Sequence, residues 1–203
     1  MTLRTDVAAL LAEAGIRDLD LDDLDLDVDV DGSGAGWHAR SAAYQRVVAA
    51  IAASGNRDRD RALVAILVRE LDGMAAKTAV VALVDAVAPD AAGPAEFRRW
   101  AAGVLPETDR LGAEGHGAFV RGRVHDWLVR LSVRDGHVPA ADELAGVTNW
   151  VQRVLAEEAM SPAVLALLAE SARHRKTRNI ARNRAGSRAV RSRNGSPEPQ
   201  AAP

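Results

Sequence analysis

The 203-residue sequence contains no cysteine. That excludes a disulfide framework, a thiolate nucleophile and a Cys-ligated zinc site, and with them the usual marks of a small secreted domain. It also lacks a long apolar run. The longest uninterrupted stretches, such as Ala62 to Val68, fall far short of the roughly 20 residues of a membrane span. The apolar stretch after Asp6 is too short for the middle region of a signal peptide and is interrupted by Glu13. A cytoplasmic protein without membrane contact is therefore expected. Lysine is nearly absent: 24 of the 26 basic residues are Arg, in a chain heavy with Ala, Gly, Asp and Val. GC-rich coding favours that set, so the preference for Arg carries no argument for bidentate phosphate recognition.

What is present is an uneven charge. Residues 1–172 hold 27 acidic and 17 basic side chains, whereas Arg173 to Arg193 holds nine basic residues and no acid. Such asymmetry points to a polyanion or an acidic surface as partner. The nine cations, Arg173, Arg175, Lys176, Arg178, Arg182, Arg184, Arg188, Arg191 and Arg193, are the candidate contact residues. Helix is expected to persist to about Arg184, with Leu165, Leu168, Ala172 and Ile180 loosely aligned, and disorder is expected beyond Gly186. The arm has no aromatics and few large apolar residues to insert, which argues against a membrane surface.

Apolar residues recur at spacings of three and four in almost every segment after Gly36, and no later segment alternates as a strand does. The fold class expected is all-α, a multi-helix bundle of about eight helices. Its organisation reads as an N-terminal helix over 1–17, an acidic connector over 18–36, one helical domain over 37–172 and a basic, largely disordered tail over 173–203. Individual helices are expected from Thr5 and Asp6 to Gly15, from about His38 to Ser54, from Asp58 to Leu71, from about Ala75 to Val87, around Phe97 to Val104 with Pro106 closing it, and from Phe119 to Val133. Ser161-Pro162 supplies an N-cap and first-turn pair for the last. Asp58 to Val87 resembles one helix pair of an α-solenoid, although no repeat of fixed period accompanies it. Trp37, Trp100, Trp127 and Trp150 lie in or beside apolar helical faces, which suits anchoring rather than base stacking.

Eight of the fourteen residues from Asp18 to Asp31 are Asp. A solvated acidic connector is the plainest reading, and a strand pairing with another sheet edge is the alternative. Asp27-Val28-Asp29-Val30-Asp31-Gly32 resembles the opening of an EF-hand calcium loop, but His38 stands where the bidentate Glu belongs and Gly34 where a hydrophobe belongs. No metal site is expected.

His125-Asp126 resembles the adjacent His-Asp pair of the all-helical metal-dependent phosphohydrolases, without that family's further upstream His. Asp126 has Arg123 and Arg130 at helical spacing, so a surface ion pair is expected to satisfy it. Gly136 to Leu155 resembles the helix-turn-helix of bacterial transcription regulators, a likeness that implies base contacts by Asn149, Gln152 and Arg153. The stretch between turn and second helix is shorter than in that family. Leu144, Val147, Val151, Val154 and Leu155 moreover hold one stripe straight through Gly146, as in a single helix. One continuous helix from about Pro139 to Glu158 is therefore expected, its glycine tolerated at about 1 kcal/mol.

No catalytic constellation and no cofactor fingerprint emerges. The functional expectation is a non-catalytic helical accessory protein whose arm contacts nucleic acid. The alternatives are a self-assembly or protein-interaction module in which the arm meets acidic protein surface, Asp18–Asp31 of another copy included, and a helix-turn-helix regulator.

Overall fold

In the computed structural model, residues 3–13, 15, 16, 21, 34–70, 73–112 and 115–187 are described. They form helices and no strand, confirming the all-α class. The helices are α1 (Leu3–Glu13), α2 (Gly34–Ala53), α3 (Asp60–Glu70), α4 (Gly73–Val87), α5 (Pro94–Thr108), α6 (His116–Arg134), α7 (Ala141–Gly146), α8 (Asn149–Glu158), α9 (Pro162–Ser171) and α10 (Arg175–Ala185). A 3-10 turn, Ala88–Asp90, follows α4. The connector over 18–36, with the strand and calcium-loop readings placed on it, lies almost wholly outside the described residues, as do Arg188, Arg191 and Arg193.

The chain divides into two compact units, Met1–Val124 and His125–Pro203. In the first, α2 packs on α4, and α3 packs on α4 and α5. The apolar stripes account for this. Tyr44, Val47, Val48 and Ile51 of α2 are buried, as are Leu63, Val64 and Leu67 of α3 and Phe97, Ala101 and Val104 of α5. On α4 the buried stripe is Ala76, Ala79, Val80, Leu83, Val84 and Val87. Val81 is half-buried, because alanines rather than valines complete the inward face. Gly15, the expected end of α1, and Gly55, two residues beyond α2, take φ of +73° and +70°, where a Cβ would be strained.

Several boundaries differ from expectation. Helix α1 begins at Leu3, so Thr5 and Asp6 lie inside it. Pro106 lies within the last turn of α5 and does not end it; the helix runs to Thr108. Proline removes one N–H, and near the C-terminus that loss is local.

The second unit gathers α8, α9 and α10 around one core that includes Val151, Leu155, Val164, Leu165, Leu168 and Ala181. Ser161 caps α9 as expected, its hydroxyl accepting the Val164 N–H at 3.4 Å, with Pro162 in the first turn. The continuous helix expected from Pro139 to Glu158 is broken: α7 ends at Gly146, Val147 and Thr148 are extended, and α8 starts at Asn149. The carboxylate of Asp126 holds the break, accepting the Thr148 N–H at 2.9 Å and the Thr148 hydroxyl at 2.6 Å.

Candidate polyanion interface

The basic arm begins as a turn and continues as a helix. Ala172 is extended, with ψ of 139°, and ends α9; His174, with ψ of 133°, is the N-cap from which α10 starts. Helix reaches Ala185, close to the expected Arg184, but as a new helix after a break and not as a continuation of α9. Helix α10 packs on α9 and α8. The residues that seat it are small: Thr177 and Ala181 are buried, and Ile180 and Ala185 are partly buried against the core.

The arm's described cations divide into two groups. Arg173, Arg178, Arg182 and Arg184 donate to backbone carbonyls in or just after the last turns of other helices. The Arg173 side chain reaches the carbonyl of Ala145 in α7. Arg178 Nη1 donates to Ala172 at 2.6 Å, Arg182 Nη2 to Ala169 at 3.0 Å, and Arg184 Nη1 to Ala156 at 3.3 Å. A helix leaves its last carbonyls without intrahelical donors and carries partial negative charge there, so guanidinium groups suit these positions. Arg175 and Lys176 make up the second group; both are exposed.

With α10 seated on Thr177 and Ala181, the opposite face shows Arg175, Lys176, Asn179, Arg182 and Asn183, all exposed. No acid interrupts Arg173 to Ser187. Among the described residues no α10 cation is paired with a carboxylate. Ion pairs elsewhere in this unit include Arg130 with Glu158, Arg153 with Glu157 and His137 with Glu143. Neutral carbonyls do not cancel a guanidinium charge, so α10 carries a positive stripe flanked by amide groups. Asn179 and Asn183 lie outside the nine expected contact residues, although steps of four from Arg175 to Asn179 to Asn183 place them on its face.

The base-facing trio implied by the helix-turn-helix likeness is not brought together. Gln152 is buried, its Nε2 donating to the Leu144 carbonyl at 2.9 Å and its Oε1 accepting the Arg173 N–H at 2.9 Å. Arg153 is exposed and bonded to Glu157 at 2.8 Å, and Asn149 is exposed. The ion pairing expected for Asp126 is also absent. Arg123 binds Asp85 through two bonds of 2.6 and 2.8 Å, Arg130 binds Glu158 at 2.7 Å, and Asp126 is 1% exposed with both oxygens on Thr148. His125, its neighbour, is exposed. Among the described residues no group of three or more His, Asp or Glu could hold a metal ion. Trp127 and Trp150 meet edge to face at 5.5 Å, with the Arg130 guanidinium 4.6 and 5.9 Å from their ring centroids, an anchoring arrangement.

The first unit holds a buried carboxyl that no sequence pattern marks. Asp60, fully buried at the start of α3, accepts the Trp100 indole N–H at 2.8 Å and lies 3.2 Å from Arg57, while its Oδ1 has no hydrogen-bond partner. Burial pushes its pKa above the ordinary value of 3.8, against the opposing pull of Trp100 and Arg57. A pKa raised by folding contributes stability that is complete below the ordinary value and lost as pH rises through the native one. Asp60→Asn, which carries no charge, is expected to gain stability relative to the wild type as pH rises from about 4 to about 7. Urea unfolding of both chains across that range checks this, and parallel curves would refute it.

Among the described residues no helix is long and apolar enough to cross a membrane. No family model matches the chain, and neither a curated protein nor a solved structure matches it.

Proposed function

We propose that this protein acts by binding, without catalysis, and that the exposed stripe of α10 contacts the phosphate backbone of nucleic acid. The observation that carries the reading is the stripe itself: Arg175, Lys176 and Arg182 at helical spacing, interleaved with Asn179 and Asn183 and unpaired with any carboxylate among the described residues. Cations already neutralised by carboxylates would gain little from phosphate, whereas these release condensed counterions on contact. Asparagine amides add hydrogen bonds to phosphate and sugar oxygens, which position without reading sequence.

The test is a salt titration of duplex DNA binding by the full chain and by a variant carrying Arg175→Gln and Lys176→Gln. Neither side chain bonds to the fold, so the variant keeps α10 seated. The log-log slope is expected to shrink by about 0.9 for each phosphate that is no longer neutralised, about 1.8 for the pair. Equal slopes and affinities for the two chains would overturn the assignment. Salt-sensitive association of copies, unchanged by added nucleic acid, would replace it with an acidic protein surface as the partner.

A further inference from the structure

A cavity of about 190 Å³ opens in the first unit, lined by Ala52, Gly55, Arg57, Val87, Asp90, Ala91, Glu96, Phe97 and Trp100. It is smaller than the roughly 300 Å³ at which pockets begin to take drug-sized ligands, so its occupant is a small one. Its walls are mostly apolar. Phe97 and Trp100 stack with centroids 5.3 Å apart, and Val87 and Ala52 stand near the C-terminal ends of α4 and α2.

The polar groups of this wall sort by whether they are already spent. The donors are engaged inside it. Trp100 Nε1 binds Asp60, Arg57 Nη1 faces Asp60, and Arg57 Nη2 donates to the carbonyls of Ile51 and Ala52 at 2.9 and 2.7 Å. What is left at the cavity's rim is acceptor and negative, from two exposed carboxylates. Glu96 gives one oxygen to the Ala92 N–H at 2.7 Å and retains the other, and Asp90 has no bonded partner among the described residues. The C-terminal end of α4 adds partial negative charge, the last carbonyls of α2 being taken up by Arg57, and the face of an indole attracts cations. The Asp60 carboxyl balances the one cation in the wall, Arg57, at 3.2 Å. An anion would meet repulsion here, and a neutral apolar molecule would leave the carboxylates unused.

We infer that this cavity binds a small organic ammonium ion, its aliphatic part against Val87, Ala52 and Trp100 and its N–H donors toward Asp90 and Glu96. The site involves no residue of α10 and is independent of the nucleic-acid reading. The probe is n-butylammonium, titrated into the full chain while the Trp100 indole N–H resonance is followed, with n-butanol and butyrate as the neutral and anionic counterparts. A saturable shift with the ammonium ion alone is expected. In the double variant Asp90→Asn, Glu96→Gln the affinity is expected to fall about tenfold or more. Both changes are isosteric, and Gln at 96 still accepts the Ala92 N–H, so a melting curve matching the wild type separates lost binding from lost fold. No shift with butylammonium, an equal shift with butanol, or undiminished affinity in a folded double variant would each overturn the inference.

Discussion

Ending the chain at Ala172 is expected to unfold the second unit. The deletion removes Ala181 from the core cluster and Thr177 from its buried position, and it strips the Arg173 N–H from buried Gln152. It also takes guanidinium donors from the carbonyls of Ala145, Ala156, Ala169 and Ala172. Each such bond contributes about 1 kcal/mol net, and the uncovered apolar area adds to the loss. A total on the order of 5 kcal/mol equals the whole stability of many small domains. Thermal unfolding followed by far-UV circular dichroism measures it: loss of one cooperative transition is expected for the chain ending at Ala172, and an unchanged one for the chain ending at Ser187. Identical melting of the Ala172 chain and the wild type would show that α10 is an ornament on the fold. Substitutions on the exposed stripe are accordingly the sound test of the proposed binding, since deleting the arm is expected to disturb folding as well.

Asp126→Ala carries the second large effect, a destabilisation of about 2–3 kcal/mol. The carboxylate is buried and takes both donors of Thr148, the residue that caps α8. Removing it leaves the α7–α8 break without the groups that hold it open. Asp126→Asn keeps an acceptor for the N–H and offers the hydroxyl a donor, so its cost is expected to be about 1 kcal/mol. Tryptophan emission reports on this neighbourhood, because Trp127 follows Asp126 and meets Trp150 on α8. If His125-Asp126 served a metal, as the phosphohydrolase likeness implies, both substitutions would leave the stability of the metal-free chain untouched and abolish metal binding instead.

These two cases also mark how far the fold is legible in the sequence. The helices of the first unit are legible because spacing alone marks an inward face, and Tyr44, Val47, Val48 and Ile51 are buried together as that spacing requires. The break between α7 and α8 is not legible by the same rule. Leu144, Val147 and Val151 are all buried, at 1%, 0% and 0% exposure, although two extended residues interrupt the helix among them. Core position therefore survives a turn that periodicity says should reset it. The group that makes the turn, Asp126, comes from α6, and no local window contains it.

Gln152 misleads for a related reason. Its place on α8 is compatible with an outward face, and its burial depends on the Leu144 carbonyl before it and the Arg173 N–H after it. The arm misleads in the opposite direction: its cations suggest solvation, while Thr177, Ile180, Ala181 and Ala185 stand at helical spacing as the seat of a packed helix. The cavity of the first unit leaves no trace in sequence, since its lining is drawn from α2, α4, α5 and the turns beside them.

The seating of α10 has a thermodynamic consequence. A disordered basic tail loses chain entropy when it settles on a partner, at a few kcal/mol of its gross interaction energy. Helix α10 has already given up that freedom in folding, and its charges stand at fixed intervals, with Arg175 and Arg182 about 10 Å apart along the axis at 1.5 Å per residue. A partner that matches this spacing meets a rigid template and gains affinity through preorganisation. One that does not match cannot be accommodated by the helix rearranging around it, so the rigidity that spares the ordering cost also makes the surface selective for shape.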